Sequence, residues 1–297
     1  MAPAEAQGLE TKEVPLRTLS LPNPDWRTIA RFHPVVWMVA IVLAAALTGM
    51  AAEHPEQDAH LAIETGVEFQ PRLGEYHYEI RWARQRVATG IIAIRKEANQ
   101  YVLTADQRTT PFIDRIYRVR YRGETRIDAA ALTPVASIIE EEVKKRSKVQ
   151  AAEYDTASGS VRVEETRKKG KNGAGKTKTY ALQSDTGILD VFSAIFLARS
   201  FDWSVGERHD FLVFVGEKRY TVILDCIGMH TLEIEENRIP VWVIQPAVRK
   251  TTDTKPSSAV RKTRIFIAAD ESKDIVKIET ESGIGTVTLR LVRYLEQ

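Results

Sequence analysis

A single cysteine, Cys226, among 297 residues rules out an intramolecular disulfide and a zinc site built on thiolates. It sits in an apolar, alternating stretch, the usual setting of a buried and inert thiol. Histidine is scarce too, and the six residues (33, 54, 60, 77, 209 and 230) never stand at a metal-ligand spacing such as H-E-x-x-H. His77 and His209 fall on the polar phase of strand patterns, so both are expected to face solvent. The nucleophile elbow Gly-x-Ser-x-Gly is missing. Neither sign of charge is in excess, since 42 basic residues against 40 acidic ones leave only +2. Such a balance supplies no field for steering nucleic acid. The sequence therefore implies no catalytic set, no metal, no cofactor and no nucleic-acid partner.

One long hydrophobic run is present. Pro34 to Ala52 reads PVVWMVAIVLAAALTGMAA, with no charged residue between Arg31 and Glu53. Arg27 and Arg31 precede it and Glu53, Glu56 and Asp58 follow, an asymmetry that keeps the N-terminus in the cytoplasm and sends the rest outward. Two fates fit this run. Val35 to Leu47 is an apolar core, and Gly49-Met50-Ala51 offers small residues at the positions signal peptidase reads. The whole run also spans a bilayer as a helix, where about 20 residues are typical. The shortness of the apolar core favours cleavage; left uncut, the run is an N-terminal anchor. The chain thus divides into an N-terminal extension (1–33), a signal peptide or membrane anchor (34–52), a polar linker (53–71) and an exported domain (72–297). The expected location is the cell envelope, either periplasmic or anchored in the inner membrane and facing the periplasm.

From Gly74 onward the apolar period is two. Tyr76, Tyr78, Ile80 and Trp82 alternate with His77, Glu79 and Arg81, which is a half-buried strand. Similar stretches follow at near-regular spacing: 90–96, 101–105, 115–122, 133–144, 148–155, 160–166, 180–182, 208–215, 219–227, 231–235, 241–248, 263–268, 275–280 and 286–294. Turns are expected at 216–218, 237–238, 270–274 and 283–285, and 250–262 reads as a loop rich in Thr, Lys and Ser. The pattern predicts a mainly β domain, built as an antiparallel sandwich or as a curved, incomplete barrel.

One segment breaks this rhythm. Between Asp185 and Ser200, Leu189, Phe192, Ile195, Phe196 and Arg199 fall on one helical face, with Asp185 placed to cap and Asp190 to complement the dipole. The one main helix of the domain is predicted over about 188–200. Leu189, Phe192, Ile195 and Phe196 are the candidates for lining a cavity between this helix and the sheet. Asp190 and Arg199 either pair with each other or pin the helix to the sheet.

Gly170 to Thr177 matches the phosphate-loop pattern G-x-x-x-x-G-K-S/T at every fixed position, and Thr221-Val-Ile-Leu-Asp225 imitates its magnesium strand. A phosphate loop must open a helix whose amides bind the anion. Here Lys178 to Leu182 alternates like a strand, and the surroundings lack βαβ units. The segment reads instead as a basic hairpin tip. Lys168, Lys169, Lys171 and Lys176 are candidates for contact with lipid head groups. Glu140 to Glu142 and Lys144 to Arg146 read as cross-strand charge on an exposed face.

Gly74-Glu75-Tyr76-His77-Tyr78 with Trp82 and Gly90, the strands around Pro134 and Tyr154-Asp155, the helix Asp190 to Arg199, and the close Ile267 to Asp270 with Val276-Lys277-Ile278 and Gly285 resemble, over residues 72–296, the bacterial domain-of-unknown-function family 3108. The resemblance implies an exported protein and carries no catalytic residue across. The sequence departs from the family in having Ala268-Ala269 near a strand that usually holds Trp, and in its longer basic loop. A curved sheet with a helix against it is also similar to periplasmic lipoprotein carriers, an analogy of fold alone. The leading expectation is a non-enzymatic envelope protein that binds an apolar ligand or a partner protein in the concavity of its sheet. The alternative is a membrane-tethered structural or assembly factor, and the third reading is a hydrolase assembled from scattered strands.

Overall fold

The computed structural model describes residues 69–170, 173–184, 189–234, 237–250, 262–282 and 285–297. The apolar run 34–52 with its expected cleavage site, Lys171, Asp185 and most of the 250–262 loop lie outside the described residues. The helix expected over about 188–200 begins at Val191: Asp190, not Asp185, is its N-cap, and Leu189 stands ahead of it in a bridge to Val213. No helix among the described residues is long and apolar enough to cross a membrane.

Among the described residues fourteen strands form one antiparallel sheet. They are β1 (Gly74–Trp82), β2 (Gln85–Glu97), β3 (Gln100–Thr109), β4 (Val119–Asp128), β5 (Pro134–Val143), β6 (Arg146–Asp155), β7 (Ser160–Lys169), β8 (Lys176–Gln183), β9 (Arg208–Val215), β10 (Lys218–Ile234), β11 (Asn237–Lys250), β12 (Thr263–Ala268), β13 (Ile275–Ser282) and β14 (Gly285–Glu296). Two helices interrupt them among the described residues: α1 (Pro111–Tyr117) and α2 (Val191–Ser200). The order across the sheet is β8-β7-β6-β5-β4-β3-β2-β1-β14-β13-β12-β11-β10-β9. Every sequential pair of strands except β8 and β9 is therefore adjacent in the sheet. The two halves join where β1 meets β14, from Gly74 opposite Glu296 to Trp82 opposite Val287.

The sandwich alternative is excluded, because all strands belong to one sheet. The incomplete barrel is what forms. Edge strands β8 and β9 share no ladder, yet the sheet curls until its two ends meet through side chains. Phe214 of β9 packs among Ala152, Val161 and Val163, its ring 5.8 Å from that of Tyr154. Arg219 Nη1 donates to the Gln183 carbonyl at 2.8 Å, and Lys178 pairs with Glu217 at 2.7 Å. Leu189 alone bridges to β9, donating to the Leu212 carbonyl and accepting from Phe214 N, each at 3.0 Å.

The enclosed space is filled by α2. Every residue of α2 except Ile195 is buried, so it packs on all sides. Phe196 meets Phe69 and Tyr101 with ring centroids 5.4 and 5.2 Å apart, and Phe192 meets Tyr121 at 6.3 Å. Gly123 of β4 makes room for that approach, since a Cβ there would stand 2.9 Å from the Phe192 ring. Tyr76 is buried in the same core, which pushes its phenol up to about 12. β12 is buried on both faces because Val241, Val243, Phe266, Ala268 and Val276 form an outer cluster. The far end of the β10–β11 hairpin covers that cluster with Leu232, Ile234 and Ile239.

Several expectations need correction. Residues 115–117 belong to α1 and not to a strand; Thr110-Pro111 is the helix-start signal, Pro being suited to the first turn. The stretches expected at 219–227 and from 231 onward are one strand, Lys218–Ile234, with a bulge between Cys226 and Gly228. Asn237-Arg238 opens β11. His209 is not solvated: its ring stacks 3.7 Å from Phe201 and stands edge-on to Trp203 at 5.0 Å. The chain leaving α2 folds back over β9, and that covers the polar phase of the strand.

Candidate functional site

The polar groups of the interior gather at the two ends of α2. At its start, Asp190 is the N-cap, and the capping box is complete: Asp190 Oδ1 accepts from Ser193 N at 2.7 Å, while Asp190 N donates to Ser193 Oγ at 3.0 Å. Ser193 Oγ also donates to Oδ1 at 2.8 Å. Oδ2 accepts from Thr125 of β4 at 3.1 Å and from Tyr154 of β6 at 3.3 Å, and Tyr154 in turn meets Ser137 of β5 at 3.2 Å. Burial pushes the Asp190 carboxyl up, against the pull of these hydrogen bonds, and holds the Tyr154 phenol well above its usual range. Four donors occupy this carboxylate, so it has no lone pair left for a substrate. Ser193 is fully buried and engaged in the cap, an arrangement suited to fixing a helix and not to nucleophilic attack.

At the other end Arg199, itself buried, pairs with the buried Asp274 at 2.6 Å and donates to the carbonyls of Lys273 and Ser272 at 2.9 and 3.0 Å. Arg72 completes the cluster from outside, on Asp274. Lys273 Nζ donates to the Ser200 and Phe201 carbonyls at 3.2 and 3.1 Å, which complements the negative end of the helix. Asp190 and Arg199 therefore do not pair with each other. Each pins its own end of α2 to the sheet.

A small cleft opens at the Asp190 end, in the seam between β4–β6 and β9. It is lined by Tyr121, Ile139, Glu141, Lys148, Asp190 and Phe214, among others, and encloses about 40 Å³. That volume holds about three waters. The cavity candidates lie elsewhere: Leu189, Phe192 and Phe196 are buried in the packed core, and Ile195 is half-buried against it. Among the described residues no group of His, Cys, Asp and Glu is arranged to hold a metal ion.

The phosphate-loop pattern has the wrong local structure. Lys176 and Thr177 begin β8, and Thr177 Oγ1 lies 2.8 Å from Thr166 Oγ1 across the hairpin. Asp225, its supposed magnesium partner, is paired with Arg208 at 2.5 Å. The head-group candidates Lys168, Lys169 and Lys176 are exposed at the β7–β8 tip. The structure sets them beside residues the sequence pattern had assigned to simple charge pairing. Lys169 is opposite Arg146, and Gly170 N donates to the Lys145 carbonyl at 2.6 Å.

A family model described as "Protein of unknown function (DUF3108)" matches residues 77–292. The chain belongs to the DUF3108 family. Among solved structures, this DUF3108 chain is similar to a beta-barrel-like protein of domain of unknown function DUF1849 from Brucella abortus, with a TM-score of 0.51 and 11% identity over 77% of this chain and 99% of that one. At that identity the likeness concerns the fold alone. A hypothetical lipoprotein from Escherichia coli, YmcC, superposes more loosely, with a TM-score of 0.28 and 10% identity over 82% of this chain and 99% of that one. No curated protein matches the DUF3108 chain in sequence.

Proposed function

We propose that this DUF3108 protein is a non-enzymatic structural or assembly factor of the bacterial cell envelope, held at the membrane by residues 34–52 and acting through its outer surface and sheet edges. One observation carries the reading: the concavity expected to hold a ligand is occupied by α2, fastened at both ends, and the cleft beside its start encloses about 40 Å³. An acyl chain needs several times that space, since pockets for small molecules run to about 300–1,000 Å³. The outer edge of β8 supports the same reading, because a strand at the end of a sheet offers its backbone to an added strand. Export rests on the uncharged run and its flanking charges.

The test is native mass spectrometry of the full chain, released from detergent after incubation with extracted envelope lipids. The expected spectrum shows the bare protein mass. A lipid retained at one copy per chain would overturn the proposal and favour the second reading, a carrier of apolar ligands. The seam cleft is the observation that favours that alternative, being where a gap between β8 and β9 would begin to widen.

A further inference from the structure

We infer that one rim of the sheet is a docking surface for an anionic bilayer, with α1 inserted shallowly among the lipids. The inference uses the preceding reading only in placing the domain beside a membrane.

The connections after β3, β5 and β7 emerge at the same end of neighbouring strands, and they touch. Lys144 N donates to the Arg118 carbonyl at 2.9 Å, Lys144 Nζ lies 4.6 Å from the Tyr117 ring centre, and Gly170 N reaches the Lys145 carbonyl at 2.6 Å. This places α1, the β5–β6 turn and the β7–β8 tip on one continuous ridge. Lys144, Lys145, Arg146, Lys168, Lys169 and Lys176 are exposed along it. Among the described residues none of these cations has a carboxylate within 4.0 Å. The acids close by are already neutralised: Asp114 by Arg120, Glu142 by Arg118 at 3.5 Å, Glu165 by Arg167 at 2.6 Å and Glu217 by Lys178 at 2.7 Å. The ridge therefore keeps a local positive charge that the near-neutral whole conceals.

Beside these cations α1 presents apolar groups outward. It has no buried residue, and Phe112 and Ile116, one helical turn apart, are 68% and 49% exposed. Folding gains nothing from a phenylalanine held in water. Two protruding apolar side chains are too few for the core of a protein interface, which needs about 800 Å² on each partner. Flanked by uncompensated lysines, they suit the boundary between head groups and acyl chains.

The test uses the full chain reconstituted in vesicles, carrying Phe112→Cys labelled with a polarity-sensitive dye; the buried Cys226 leaves position 112 as the reactive thiol. In phosphatidylcholine with about 30% phosphatidylglycerol the emission shifts to the blue and iodide quenching falls severalfold, whereas pure phosphatidylcholine gives neither effect. Replacing Lys145, Lys168 and Lys169 by Gln lowers the docked-to-free ratio roughly a hundredfold, at about fivefold per cation, and about 0.5 M salt acts in the same direction. Equal dye exposure in the two vesicle types overturns the inference, as does a blue shift that survives the Gln substitutions. A blue shift produced by polyglutamate without vesicles also overturns it, and assigns the ridge to an acidic protein partner. Lipid retained inside the domain sinks the assembly-factor reading without moving this readout, so the two failures are distinguishable.

Discussion

Asp190 is the position where the account of the fold is most exposed to test, because its removal and its neutralisation should differ sharply. Asp190→Ala deletes the N-cap, at about 1 kcal/mol. It also strands the hydroxyl of Thr125, which is wholly buried and donates to Asp190; an unsatisfied buried donor costs about 1–3 kcal/mol. Tyr154 keeps Ser137 and suffers less. With a small cavity added, the sum is roughly 3–4 kcal/mol, which for a domain of this size lowers Tm by about 10 °C. Asp190→Asn keeps an oxygen for Ser193 N and turns an amide toward Thr125 and Tyr154, whose hydroxyls rotate to accept it. Its expected cost at pH 7 is below about 1 kcal/mol.

The pH dependence separates the two further. Burial raises the folded-state pKa of Asp190 above its ordinary 3.8. Between those two values the native state binds more protons than the unfolded state, so this group's contribution to stability increases as pH falls from the raised value to 3.8. Asp114 works in the opposite direction, its carboxyl drawn down to about 2 by Arg120, but that contribution is common to both proteins. Urea melts of wild type and Asp190→Asn across pH 4 to 8 should therefore show the wild type gaining on the variant toward acid. An Asn variant as damaged as the Ala variant at pH 7 would refute the reasoning, since it would mean that the ionised carboxylate is required. So would an Ala variant within about 1 kcal/mol of wild type.

Arg199→Ala leaves the buried Asp274 with the half-exposed Arg72 as its cation and should cost about 3 kcal/mol in chemical denaturation, the lower end for a broken buried pair. Arg72→Ala, at a side chain 46% exposed, should cost below about 1 kcal/mol; equal losses would contradict the assignment of Arg199 as the principal pin. Gly123→Ala drives a methyl into the Phe192 ring and should destabilise by about 1–3 kcal/mol, with part of the loss recovered when Phe192→Leu is added. The two-residue β1–β2 turn places Ala83 and Arg84 at φ 45° and 76°, the left-handed region. Replacing them by Asn-Gly should stabilise by about 1–2 kcal/mol, read as a higher urea midpoint with an unchanged slope.

The strands were legible in the sequence wherever one face met the core and the other met water, as in β1, where Tyr76, Tyr78 and Ile80 point inward in strict alternation. That same period announced a sheet but not whether it would be one or two, because closure depends on Phe214 reaching Tyr154 across some sixty residues of chain. The main helix was visible from its spacing. Its all-round burial was not, since the residues off the predicted face include Ser193, Ala194 and Ala198, small side chains that fit a packed core and a solvated surface alike. α1 escaped notice because its seven residues make only two turns, too short a stretch to set a helical period apart from the strand patterns around it. The ridge was half legible: the lysines of the β7–β8 tip stood out, but their neighbours at 144–146 became part of it only through strand pairing.

How α2 behaves in time follows from how it is held. If it were a lid over a ligand cavity, opening would break Arg199–Asp274 and the Asp190 contacts together. The first of these alone costs about 3 kcal/mol, and withdrawing the apolar faces of Phe192, Phe196 and Leu197 from the core adds about 1.5–3 kcal/mol for each. That total reaches the 5–15 kcal/mol by which whole domains are stable. Opening α2 is then not a local event distinct from unfolding. Amide exchange across Val191–Ser200 should accordingly proceed at the free energy of global unfolding, with the same dependence on urea as the centre of β1. The exposed turns of α1 should exchange many times faster. Exchange of α2 several kcal/mol below the global value would restore a movable helix and with it a usable interior. Parity between α2 and β1 would favour the proposed reading, in which the outer surface of the sheet, the edge of β8 and the basic ridge make the contacts.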